Sequence, residues 1–129
     1  MPKITGRVEL VLNGEVLLNK SGATAEGIGV SGKPAVLRKE VLGDTGLHGV
    51  VEEPVVAKCT VKLTDRDDIP LSRIAEVNGD GTLIFRSAGG GKVYTMNGVY
   101  CLSNFKVTGG EGEVDGVEFI GPYWTEGTE

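Results

Sequence analysis

The chain has 129 residues and contains none of the segments that would direct it into a membrane or onto nucleic acid. No apolar run approaches the roughly 18 residues that a transmembrane helix requires. The first residues include no apolar stretch of signal-peptide type, so we expect no secretion by that route. No block of lysine and arginine is present of the kind that holds nucleic acid through its phosphates.

Cysteine and histidine, the residues most often used for catalysis or metal binding, are scarce, with two and one respectively. Cys59 and Cys101 are too few for a disulfide framework or a zinc site, and a reducing cytoplasm is the expected compartment. Both lie in apolar strand context, where a thiol acts as a small hydrophobic group. His48 has no recognisable activating partner, which favours a solvated side chain over a general base. We therefore predict no enzyme activity and no catalytic, cofactor-binding or metal-ligating residue.

A short acidic cluster offers the nearest approach to a metal motif. Asp65, Asp67 and Asp68 resemble the spaced carboxylates of a calcium loop, but Pro70 occupies the sixth position, where that loop needs glycine. The same aspartates can cap a helix, and proline suits a first helical turn. Helix capping is the better interpretation, and it predicts one short helix over about 68–78.

Period-two alternation of apolar and polar residues predicts that most of the chain is antiparallel strand. Asn13-Gly14 between two such runs indicates a two-residue hairpin turn. The predicted strands are 4–12, 15–19, 55–64, 82–87, 92–96, 99–107 and 113–120. The expected fold is a single domain, residues 1–129, that is mainly β: an antiparallel β-barrel or sandwich with one short α-helix.

Glycine is abundant, with 21 residues, and it concentrates where the alternation fails. Residues 20–53 contain seven glycines and no sustained period, which predicts a long glycine-rich loop. Loops of this length inside a small domain are generally functional or disordered. Two readings stay open for it: a surface excursion, or a segment that becomes ordered against a partner chain.

The order of these pieces resembles that of the tail tube proteins of Mu-like phages with contractile tails. The resemblance covers most of the chain, and its most specific piece is Gly109–Val114 leading to Val117–Pro122. The other matching pieces are the strand ending in Asn13-Gly14, the loop end 46–54, the strand 55–63 feeding the aspartate-capped helix, and the strand 81–85.

The resemblance implies a structural virion protein, related in architecture to the type VI secretion tube protein. Copies would form hexameric rings that stack into a tube, and DNA would pass through the channel without specific binding. The implied partners are further copies of the chain and the tail sheath, tape-measure and baseplate proteins, with no cofactor and no membrane. The implied location is the virion tail, assembled in the host cytoplasm.

The loop supplies candidate contacts between subunits, because an isolated monomer would leave its apolar residues exposed. The alternative is that these residues pack back onto their own domain. The candidate interface residues are Val36, Leu37, Leu42, Leu47 and Val50.

The charge of the chain suggests a candidate for the channel wall. The formal net charge is −5, and residues 107–129 hold six acidic residues and no basic one. An acidic lumen would repel phosphate and let DNA slide. Glu111, Glu113 and Glu118 are therefore the candidate lumen residues, although acidic groups there also serve simple solubility.

A binding module of another class fits the same features. In that reading the chain is a small β-barrel, monomeric or dimeric, whose segment 20–53 grips a protein or a small ligand. Its size across a concentration series separates the two hypotheses, because a tube subunit polymerises and a module does not.

Overall fold

A computed structural model describes residues 6–17, 19, 22–65, 70–110 and 112–128. It confirms a mainly β fold with antiparallel pairing and one short helix. No helix in the described part of the chain is long and apolar enough to cross a membrane. The elements are β1 (Val8–Leu12), β2 (Glu15–Leu17), β3 (Thr24–Glu26), β4 (Ala35–Gly43), β5 (Gly46–Val55), β6 (Ala57–Thr64), α1 (Leu71–Ala75), β7 (Asn78–Ser87), β8 (Lys92–Thr108), β9 (Glu113–Gly121) and β10 (Thr125–Thr128).

The first hairpin is confirmed where the structure describes it. β1 pairs antiparallel with β2, and Leu12 lies opposite Glu15 across the turn. Asn13 and Gly14 have φ angles of 51° and 84°, as a turn with two left-handed central residues requires. Residues 4, 5 and 18 of this prediction lie outside the described residues.

Eight strands join one sheet in the order β2-β1-β7-β8-β9-β6-β3, with β10 also paired to β8. The described path does not close on itself, since β2 and β3 are its two ends, and the result is sandwich-like rather than a closed barrel. β8 connects the two halves: its first part pairs with β7 and β10, and its last part pairs with β9.

The expected break at Asn97-Gly98 is wrong, because β8 runs unbroken from Lys92 to Thr108. A bulge nevertheless falls at this place: Gly81 and Thr82 are consecutive on β7 but pair with Val99 and Asn97, which leaves Gly98 as the extra residue of β8, and a second irregularity lies on β7 between Asn78 and Gly81. Gly98 has a φ of 70°. A strand that passes between two halves of a sandwich bends or bulges in this way.

Alternation along β6 gives the clearest agreement between sequence and structure. Ala57, Cys59, Val61 and Leu63 are buried, and the residues between them are not. A single apolar core lies against this face of the sheet. Its members are Leu10, Leu12, Leu17, Ala57, Cys59, Val61, Leu63, Ile74, Val77, Leu83, Phe85, Met96, Val99, Val114, Val117, Phe119 and Trp124.

The helix is shorter than the predicted span of 68–78. α1 covers Leu71–Ala75, and its N-cap is Pro70, which makes no side-chain capping bond. The aspartates expected to cap it, Asp67 and Asp68, lie outside the described residues. Ile74 anchors the helix in the core.

The segment 20–53 is not a continuous loop where the structure describes it. β3 adds to the edge of the main sheet beside β6, and β4 pairs with β5 in a separate two-stranded sheet. The prediction failed because glycines obscured the period within each strand. The backbone N–H and C=O groups of β4 and β5 are hydrogen-bonded to each other across the two strands. This pairing cannot be read from the pattern of either segment alone.

Candidate functional site

The hairpin of β4 and β5, residues 35–55, forms an arm. Within the described chain, β4 and β5 make their extensive contacts only with each other. β4 has nine residues, and at about 3.4 Å per residue the arm is about 30 Å long. An isolated two-stranded hairpin is at best marginally stable in water. The pairing of β4 with β5 therefore gives the arm little stability of its own.

The arm carries all five candidate interface residues, and all five are exposed. Side chains alternate along a strand, and residues paired across strands share a face. The register pairs Leu42 with Leu47 at the tip, which places Val36, Leu42, Leu47 and Val50 on one face of the arm. Leu37 lies on the opposite face. The structure thus gathers four of the five residues and separates the fifth.

Two exposed apolar residues of the arm were not among the candidates. Val41 and Val51 are exposed and share a face with Leu37, so both faces of the arm carry uncovered apolar side chains. The sequence does contain a pattern that indicates a β-hairpin at this place. Asp44-Thr45 between two glycines separates two runs rich in valine and leucine, which is a hairpin pattern.

The polar groups of the arm contribute little to its own stability. Arg38 Nε lies 3.4 Å from Glu52 Oε1, and both side chains are more than half exposed. Exposed ion pairs of this kind stabilise weakly. His48, which the sequence suggested was solvated, is exposed at the bulge near the tip, with its Nε2 atom 3.4 Å from Thr45 Oγ1. The arm thus exposes apolar side chains on both faces, with charged residues between them.

The candidate lumen residues lie on the outer face of β9. Val114, Val117 and Phe119 are buried in the core, whereas Glu113, before Val114, and Glu118, between Val117 and Phe119, are half-buried. Glu118 pairs in register with Thr60 on one side and Leu102 on the other. Glu111 lies outside the described residues.

Basic residues from the neighbouring strands share this surface with the carboxylates. Lys58 Nζ lies 3.6 Å from Glu118 Oε2, and Lys106 pairs in register with Asp115. The sequence grouped the acidic residues by their position along the chain and missed these lysines, because the lysines belong to β6 and β8. The face is mixed in charge, and Lys58 offsets part of the negative charge of Glu118.

The two cysteines are separated by an aromatic side chain. Cys59 and Cys101 both pair in register with Phe119, which lies between them on β9. Burial raises the pKa of the Cys59 thiol to about 12 and that of Cys101 to about 11. Both thiols are therefore protonated near neutral pH, which leaves them poor nucleophiles. Among the described residues, no group of three or more His, Cys, Asp and Glu is placed to hold a metal ion.

Comparison with known proteins gives one family. The model of a family described as phage tail tube protein matches residues 1–126. No curated protein matches the chain. The family match spans the arm, the helix and every strand of the sheet except the last residues of β10.

Proposed function

Because the chain belongs to the phage tail tube protein family, we propose that it is the repeating subunit of a tube made of stacked hexameric rings. A structural role in the phage tail follows from the family itself. The proposal adds the ring, its sixfold symmetry and a central channel through which DNA passes without specific binding. The tail sheath, tape-measure and baseplate proteins are the further partners we propose, with assembly in the host cytoplasm.

The observation that carries the proposal is the uncovered arm. Leu42 and Leu47 at its tip are 67% and 66% exposed, and both faces carry further exposed apolar residues. Exposed apolar surface of this extent marks a site of protein contact. We propose that the candidate interface residues Val36, Leu37, Leu42, Leu47 and Val50 form contacts between subunits.

For the channel wall, we propose the outer face of β9, with Glu113 and Glu118 directed at the lumen and Glu111 as a further candidate. The support is their half-exposed position opposite the core face of the same strand. With Lys58 and Lys106 on the same face, DNA would meet a mixed surface that neither binds phosphate tightly nor repels it strongly.

Electron microscopy of the purified protein tests the assembly. We expect the wild type to form tubes and the double variant Leu42→Ser/Leu47→Ser to fold normally but to form none, because both side chains are exposed in the subunit. Val107→Ser is the matched control, since Val107 is 50% exposed and lies outside the arm. Tubes of normal length from the double variant would contradict the role of the arm.

Two further measurements separate the parts of the proposal. A wild type that sediments as a strict monomer at every concentration would favour a binding module and contradict the tube. A reconstruction of the tube locates Glu113 and Glu118 directly, and their appearance on the outer wall would refute the lumen assignment while leaving the tube intact.

A further inference from the structure

Several asparagine and aspartate residues of this chain lie directly before glycine, where the backbone can react with the side chain. The nitrogen of the following residue can attack the side-chain carbonyl carbon, and glycine has no Cβ atom to obstruct that attack. The fold determines which of these side chains lies against the nitrogen that follows it. The pairs are Asn13-Gly14, Asn78-Gly79, Asp80-Gly81, Asn97-Gly98 and Asp115-Gly116.

The side chain of Asp115 is folded back over the backbone of the next residue. The N–H of Gly116 donates a hydrogen bond of 2.9 Å to Asp115 Oδ1. Because Oδ1 is bonded to Cγ, the side-chain carbon lies beside the nitrogen that would attack it. Both residues are half-buried, so water reaches the pair. The two reacting groups are therefore held together in the folded chain.

Three of the other pairs have side chains that are held by different groups. Asp80 Oδ1 accepts a bond from the N–H of Asn78, two residues earlier. Asn13 Oδ1 accepts a bond from the N–H of Thr82, and Asn97 Oδ1 accepts one from the Thr82 hydroxyl. None of these three bonds involves the nitrogen of the glycine that follows. Asp80-Gly81 therefore offers the same dipeptide as Asp115-Gly116 in a different arrangement.

The sheet itself requires glycine after Asp115. The register of β8 with β9 shifts between Ser103 and Lys106, and Gly116 is not among the residues paired there in the described chain. Gly116 has a φ of 75°, and a Cβ atom on it would overlap the carbonyl oxygen of Asn104. A larger residue at position 116, which would slow the attack, is therefore excluded by the fold.

We propose that Asp115 converts spontaneously to isoaspartate in the folded protein, through a cyclic imide formed with Gly116. In the first step a bond forms between Gly116 N and Asp115 Cγ. The nitrogen loses its proton and the protonated carboxyl group loses its hydroxyl, and these leave as one water molecule. A second water molecule then opens the imide. Attack at Cγ restores aspartate, whereas attack at the main-chain carbonyl carbon leaves the chain running through Cβ and Cγ.

The product adds a methylene group to the main chain in the middle of β9. Val114 and Val117, on either side of the pair, are fully buried, and the carbonyl of Asn104 lies too close to Gly116 for even a Cβ atom. Since packed interiors tolerate little added volume, the pairing of β8 with β9 must shift in the product. The inference concerns the chemistry of β9 and does not depend on assembly into a tube.

Incubation of the folded protein beside the urea-unfolded protein tests the proposal. Both are held at mildly acidic pH, where aspartate carboxyl groups are partly protonated. Trypsin then gives the peptides 74–86 and 107–129, which contain one aspartate each, Asp80 and Asp115. Chromatography separates the isomers, and electron-transfer fragmentation identifies isoaspartate. The ratio of isoaspartate at Asp115 to that at Asp80 should be about tenfold higher in the folded protein than in the unfolded one.

Two glutamate variants complete the test. Asp115→Glu needs a larger ring for the same attack, so its peptide 107–129 should remain unmodified. Asp80→Glu is the matched control and should leave the yield at Asp115 unchanged. Equal ratios in the folded and unfolded protein would mean that the dipeptide alone sets the reaction, which overturns the proposal. Faster conversion at Asp80 than at Asp115 in the folded protein would also overturn it.

Discussion

The indole N–H of Trp124 donates a hydrogen bond of 2.9 Å to the backbone carbonyl oxygen of Glu26, 98 residues earlier in the chain. The Trp124 side chain is buried, and its ring meets Phe85 and Tyr94 edge to face. The Trp124 carbonyl in turn accepts a bond from the N–H of Gly32. The residues before β10 therefore hold β3 and the segment leading to the arm against the main sheet.

Trp124→Phe should lower the free energy of unfolding by about 1–3 kcal/mol, because the part-buried hydrogen bond to Glu26 is lost and the smaller ring leaves a gap in the core. Circular dichroism in a denaturant series is the suitable measurement, since Trp124 is the only tryptophan and its fluorescence is lost in the variant. Tyr123→Phe is the neighbouring control and should stay within about 0.5 kcal/mol of wild type. Equal losses in the two variants would show that the bond contributes nothing specific.

Two glycines of the β8–β9 hairpin should differ in their tolerance of alanine. Gly112 and Gly116 both have positive φ angles, of 62° and 75°. A Cβ on Gly112 meets nothing within 4 Å, whereas one on Gly116 would overlap the carbonyl oxygen of Asn104. Gly112→Ala should cost about 1–2 kcal/mol of backbone strain. Gly116→Ala should cost about 1–3 kcal/mol more, because the β8 bulge must shift.

Thermal denaturation of the two alanine variants side by side measures this difference. The overlap at Gly116 is with backbone rather than with a flexible side chain, so it cannot be relieved by a rotamer change. A Gly116→Ala variant as stable as Gly112→Ala would mean that the hairpin is looser than the packed arrangement described above.

The turn residue Asn13 acts through its conformation and through its side chain. Its φ is positive, and its Oδ1 accepts a 2.9 Å bond from the N–H of Thr82. Asn13→Gly keeps the conformation and loses the bond, for a cost of about 1 kcal/mol. Asn13→Ala loses both and should cost about 1–2 kcal/mol more than Asn13→Gly. Asn13→Asp keeps an acceptor oxygen and should remain near wild type.

Urea denaturation of these three variants gives the order of stability directly. The predicted order is aspartate, then glycine, then alanine. If glycine matched aspartate, the bond to Thr82 would carry no net stability, and the turn would rest on backbone conformation alone.

The buried thiol of Cys59 should make the protein less stable at high pH. Burial raises its pKa from 9.0 to about 12. Between these values the unfolded chain releases the proton and the folded chain retains it, so stability falls as pH rises, by up to about 1.4 kcal/mol per pH unit. Below about pH 8 this effect is negligible, because the thiol is protonated in both the folded and the unfolded chain.

Cys59→Ala isolates the effect, because the variant has no thiol to titrate at this position. Its free energy of unfolding should fall less steeply than that of wild type between pH 8 and about pH 10, whatever its stability at neutral pH. Parallel pH profiles for the two proteins would contradict the assignment of the slope to Cys59.

Local patterns predicted much of the sheet. Alternation in 57–64 gave a strand with the correct buried face, because a half-buried strand imposes a period of two on its own residues. Asn13-Gly14 gave the first turn for a similarly local reason, since few residue pairs accept two left-handed conformations. The sequence did not predict β10, Thr125–Thr128. All four of its side chains are exposed, so the strand leaves no alternation of apolar and polar residues.

The candidate surfaces were only partly visible in the sequence. The five apolar residues of the segment 20–53 were chosen as exposed, and they are exposed. Their division between two faces was not predictable, because it depends on the pairing of β4 with β5 and on the bulge between Val41 and Leu42.

The amino-acid sequence is enough to predict the strands with one buried face, the tight turns, the scarcity of catalytic groups and the acidic C-terminal segment. These follow from interactions between residues close in the chain. Contacts between distant parts of the chain establish that residues 35–55 form an arm, that β8 is continuous, that Lys58 lies beside Glu118, and that Trp124 is hydrogen-bonded to Glu26. Each of these features depends on which distant strand lies next to a given strand. That arrangement is stabilised by cross-strand side-chain pairs and by burial of apolar surface, neither of which can be read from neighbouring residues in the sequence.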